Sequence, residues 1–174
     1  MKELIRKILR EQTSNTVLVV FGGWPANQYG KEWMKTKLPG VVDMYDTVIW
    51  KDYHNEYLTE AITEVNDGDF TSVDVIGFSQ GGINAYRFAN RSGIKLNFLG
   101  LIDPSIDSDW STNNFPHNSK LFYNNDNWAE KYDDGYTKYR NELANAMGEE
   151  NAVEDKTIKH LDFPTKFFDK YMKQ

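Results

Sequence analysis

Residues Gly77-Phe78-Ser79-Gln80-Gly81-Gly82 form a G-x-S-x-G sequence. A serine hydroxyl is a weak nucleophile until a neighbouring base takes its proton. The motif has chemical meaning only where the backbone bends sharply enough to lift the serine oxygen clear of a sheet. Side chains two residues either side of the serine would collide in such a bend, so glycines belong there. The apolar run VDVI leads into the motif and a helical pattern leaves it. The start of that helix points backbone N–H groups at the place where negative charge would develop. A base must then come from one of three histidines, His54, His117 or His160. With no cysteine in the chain, thiolate nucleophiles, thiolate metal sites and disulfides are all excluded.

The elements that would carry these residues follow from apolar periodicity. Strands are expected at 17–21 (VLVVF), 46–50, 73–78, 96–102, 120–124 and, briefly, near 153–158. Helical spacing occupies 29–37, 55–66, 80–91, 128–147 and 163–173. Residues 1–12 read as an amphipathic helix with Leu4, Ile5, Ile8 and Leu9 on one face. Strands alternating with helices predict a doubly wound α/β domain: a mainly parallel sheet of about six strands, helices on both faces. The length of 174 residues suits a single domain, 1–174.

Composition narrows the partners. The formal net charge is −6, and only residues 1–10 are clearly basic, so nucleic acid is not an expected partner. No apolar run approaches the roughly 18 residues that would cross a membrane. The opening MKELIRKILR has no long apolar core or small-residue cleavage site, so it does not read as a secretory signal, and a cytoplasmic location is expected. The longer opening MKELIRKILREQ is similar to those of some phage-encoded proteins.

From about residue 16 onward the chain resembles the α/β-hydrolase superfamily, with GFSQGG as its nucleophile elbow. The order serine, acid, histidine matches as well. The resemblance implies Ser79 as nucleophile and His160, between the last expected strand and the closing helix, as base. His54 precedes the nucleophile, and His117 lies in a polar loop. The resemblance leaves two acids open. Asp126, after the fifth strand, has the commoner position; Asp103, in GLIDPS after the fourth, matches a G-L-D-P setting of some lipases and is preferred. The strand VLVVF with its loop GGW implies oxyanion donors at the N–H groups of Gly23 (or Trp24) and Gln80. The chain departs from the fuller family by lacking two leading antiparallel strands and any long cap insertion.

Ligands of open α/β sheets bind at the carboxyl ends of the strands. Trp24, Trp110 and Phe115 fall there and are candidates for an acyl pocket. Asp107-Ser108-Asp109 lacks the glycine and later glutamate of a calcium loop, so no metal is expected, nor any organic cofactor. These features imply cleavage of a small-molecule carboxylic ester or thioester through an acyl-enzyme. Two alternatives remain: an acyltransferase or amidase using the same triad, or a hydrolase-like binding or virion protein.

Overall fold

The computed structural model describes residues 15–106, 115–116, 118–125 and 135–173, with the backbone alone for 135–137. Its centre is a six-stranded sheet in the order β2-β1-β3-β4-β5-β6. The strands are β1 (Thr16–Phe21), β2 (Thr47–Lys51), β3 (Ser72–Phe78), β4 (Phe98–Ile102), β5 (Ser119–Tyr123) and β6 (Ala152–Glu154). Every neighbouring pair is parallel. Parallel strands need crossovers: α1 (Ala26–Tyr29) and α2 (Lys31–Lys37) lie between β1 and β2, α3 (Asn55–Asp67) between β2 and β3, α4 (Gly81–Arg91) between β3 and β4, and α5 (Gly135–Met147) between β5 and β6, while α6 (Phe163–Phe167) follows β6. One π-helical turn, Phe168–Met172, continues α6.

The strands alternate between two cores. Val17, Val19 and Phe21 of β1 join Val73, Val75, Leu99 and Leu101 in a layer under α3, α4 and α5. Leu18 and Val20 face the other way, with Ile76, Phe78 and Ile102, against Met34 of α2 and Phe163, Phe167 and Phe168 at the C-terminal end. β1 is thus buried on both faces, as a central parallel strand must be. Burying each such side chain contributes roughly 1.5–3 kcal/mol. Among the described residues, no helix is long and apolar enough to cross a membrane.

Several boundaries differ from the sequence expectation, and three of them have a polar reason. The helix expected over 29–37 is split at Gly30, which is extended; Asp52 Oδ1 then accepts the Lys31 N–H at 2.7 Å and starts α2 anew. β4 begins at Phe98 because the Asn97 side chain turns to Asp74 Oδ1, 3.0 Å away. β6 stops at Glu154 because Asp155 Oδ1 takes both the N–H and the hydroxyl of Thr157, at 2.9 and 2.6 Å, and turns the chain. The N-terminal amphipathic helix lies outside the described residues.

Candidate active site

β3 runs into Ser79, which has φ of +55°, an uncommon value for a residue with a side chain. The bend is held from three directions. Ser79 donates its N–H to Ile102 O at 3.0 Å, and its carbonyl accepts from Gly82 N at 3.0 Å and Ser105 N at 2.9 Å. A Cβ on Gly77 would run into Gly81 O and Ala85 Cβ, and one on Gly81 into Phe21 O and Gly22 O. Both glycines are therefore set by close approach, as the motif demands. On the far side, a Cβ on Gly23 would lie 3.0 Å from Ser79 Cβ, so the loop after β1 passes directly over the serine.

β4 ends in a second uncommon conformation, Asp103 with φ of +38°. Its carboxylate is fully buried and has partners at both oxygens. Oδ2 lies 2.5 Å from His160 Nδ1. Oδ1 accepts the Asn124 N–H at 3.1 Å and lies 3.3 Å from Arg140 Nη1. Strained backbone of this kind persists only where surrounding structure over-determines it, and it clusters at functional sites.

His160 opens a short 3₁₀ turn, His160–Asp162, that leads into α6. Its ring stacks on Phe78, centroids 4.6 Å apart and planes at 28°. The residue beside the nucleophile thus carries the imidazole on its ring. Nδ1 is the ring nitrogen that faces the carboxylate, and Nε2 lies on the other side of the ring. The loop before His160 is tied to the sheet by Asn124, whose Nδ2 donates to Ile158 O at 3.1 Å.

Arg140, on α5, is completely buried. Besides Asp103, it reaches Pro104 O through Nε (3.1 Å), and Asn124 O and Asn125 Oδ1 through Nη1 (3.2 and 3.4 Å). Burial pulls its guanidinium below the usual arginine value, opposed first by Asp103 and then by Tyr123 and Glu154. Arginine stays protonated regardless. Sequence reasoning missed this residue. Its signal was present: Arg140 stands in line with Leu143, Ala144 and Met147, the i, i+3, i+4, i+7 stripe that α5 buries.

The remaining candidates divide. Gly23 gives its N–H to Tyr29 O at 2.8 Å, whereas the N–H groups of Trp24 and Gln80 bond to nothing among the described residues. The Trp24 side chain is 49% exposed. Phe115 is partly buried against Tyr86, with ring centroids 5.9 Å apart. His54 precedes α3 at its N-cap and stacks on Tyr53. It lines a cavity of about 260 Å³ beside Gln80, with Tyr53, Asn84 and Arg87. Asp126, His117, Trp110 and the Asp107-Ser108-Asp109 segment lie outside the described residues. Among the described residues, no group of three or more His, Asp or Glu side chains could hold a metal ion.

No protein-family model matches the sequence, and no curated protein matches it significantly. Solved structures do. A candidate YdeN-like hydrolase from Pectobacterium atrosepticum aligns over 87% of this chain and 82% of its own, with TM-score 0.53 and 14% identity. A candidate hydrolase of the alpha/beta superfamily from Xanthomonas campestris aligns over 88% and 94%, with TM-score 0.52 and 12% identity. Sheet order, strand-to-helix elbow and these likenesses agree: the chain has the α/β-hydrolase fold.

Proposed function

We propose that the protein is a serine hydrolase that cleaves a small carboxylic ester or thioester through an acyl-enzyme. The observation that carries this reading is the pairing of buried Asp103 with half-buried His160, whose imidazole is stacked on the residue that precedes a strained serine. In the proposed reaction, Ser79 Oγ attacks the substrate carbonyl while His160 Nε2 takes the hydroxyl proton. Asp103 keeps the other ring nitrogen protonated and stabilises the imidazolium. The tetrahedral oxyanion sits against the N–H groups of Gln80 and Trp24. Trp24 replaces Gly23 in this role because the Gly23 N–H is already bonded to Tyr29 O. Each such donor lowers the barrier by about 3–4 kcal/mol. The imidazolium then protonates the departing alkoxide or thiolate. His160 then takes a proton from water as the water oxygen attacks the acyl-serine, and the imidazolium returns that proton to Ser79 Oγ as the acid is released. The exposed Trp24 ring and the cavity beside Gln80 are the surfaces offered to the two halves of the substrate.

A fluorophosphonate probe tests the reading. The folded protein should take up one probe, and Ser79→Ala should take up none. Absence of labelling on wild-type protein with native circular dichroism rejects the reading and favours a binding module on this fold. For the active enzyme, product analysis with and without an added alcohol separates hydrolysis from acyl transfer.

A further inference from the structure

We infer that Arg140 is a positioning residue for this chemistry: a buried cation that fixes the orientation and balances the charge of Asp103. The inference rests on the roles proposed above for Ser79, His160 and Asp103. Arg140 lies within 3.3 Å of Oδ1 while His160 takes Oδ2, so the carboxylate is held at both ends and cannot swivel. The guanidinium is itself fixed by Pro104 O, the residue after Asp103, and by Asn124 O and Asn125 Oδ1 beyond β5. One side chain thereby locks the two strand ends that meet beneath the imidazole.

The charge matters as much as the geometry. A carboxylate buried without a counter-charge would hold the imidazolium strongly and resist giving His160 back as a base. A fixed cation on the opposite oxygen weakens that pull. Stability alone does not account for the pair, since a buried ion pair is often matched or bettered by apolar residues of the same volume. Among the described residues, Tyr123, whose ring lies 6.0 Å from the guanidinium carbon, and Glu154 also face Arg140.

The test uses Arg140→Met and Arg140→Lys, with rates per active site titrated by fluorophosphonate. The substrate is p-nitrophenyl acetate, assayed across pH. In Arg140→Met, kcat should fall roughly 10- to 100-fold with KM unchanged, the cost of a misplaced catalytic group. The acid limb of kcat/KM should move to higher pH. Arg140→Lys keeps the charge but loses the planar fork, so kcat should fall less and the limb should stay. If the methionine variant does not fold, the lysine variant decides. Folded variants that match wild type in kcat and in the acid limb overturn the inference and leave Arg140 a structural residue. Failure of wild type itself to label at Ser79 overturns the hydrolase reading, and this inference with it.

Discussion

The two ends of the sheet each bury an aspartate, and they treat it differently. At the amino end, Asp74 on β3 accepts the Tyr45 hydroxyl at 2.6 Å and the Asn97 amide at 3.0 Å. Both partners are uncharged donors. At the carboxyl end, Asp103 is surrounded by a cation, a backbone N–H and an imidazole. Asp103 has a positive φ, as does Ser79 beside it; Asp74 lies within regular strand. Satisfied hydrogen bonds are common to both sites and so do not mark function. Backbone strain, a titratable ring and a buried counter-charge together distinguish the end of the sheet where chemistry is proposed.

The largest effect expected from this contrast separates the two aspartates directly. Asp103→Asn should slow turnover by roughly 10⁴-fold, because an amide favours the wrong tautomer of His160. Asp74→Asn should leave the fluorophosphonate labelling rate at the wild-type level and lower only stability. Labelling rates on both variants, with circular dichroism to confirm folding, check the pair. Equal losses at the two sites would dissolve the distinction.

How much of this was legible beforehand follows the same division. The strands and the elbow were visible because apolar periodicity and glycine spacing are local properties; the observed β3 and α4 meet at Ser79 as the motif requires. The sequence preferred Asp103 to Asp126 only by its G-L-D-P setting; its contact with His160 could not be read there, because it depends on where that ring swings in from 57 residues away. The Gly23 N–H could not be assigned from sequence either, since Tyr29 O, its acceptor, is brought back by a helix whose break at Gly30 depends on Asp52. Arg140 was hidden by expectation rather than distance: a cation inside an apolar stripe reads as a surface residue until its partners are seen.

A smaller effect is expected at the amino end. Tyr45→Phe removes the donor to Asp74 Oδ2, and hydrogen bonds to charged groups contribute about 1.5–3 kcal/mol, so urea denaturation should show a loss of that order. The same hydroxyl carries a pH signature. Burial, the hydrogen bond to Asp74 and the charge of Asp74 raise the Tyr45 pKa above its ordinary value of 10.0. The folded state therefore holds this proton more tightly than the unfolded state does. The contribution is complete below pH 10.0 and fades as pH rises beyond it. Wild type should lose stability on the alkaline side of that point more steeply than Tyr45→Phe. Parallel slopes would mean that Tyr45 ionises as freely in the folded protein as in the unfolded one.

The smallest effect lies at the exposed margin of the site, in the turn that delivers His160. Asp155 is held below the ordinary carboxylate value first by the Thr157 hydroxyl, then by the Thr157 N–H, with Lys170 and Lys166 adding to the pull. A depressed carboxylate contributes stability above its unfolded pKa and loses it as pH falls through the folded one. For Asp155 that window lies below pH 3.8, well away from neutral conditions. Carbon-detected NMR should give its midpoint below 3.8, and Thr157→Val should return it towards that value. Because the turn is exposed while Asn124 ties Ile158 to the sheet independently, the same variant should label with fluorophosphonate nearly as fast as wild type. A loss approaching that of Asp103→Asn would show instead that the approach of His160 depends on this outer turn as much as on the buried carboxylate.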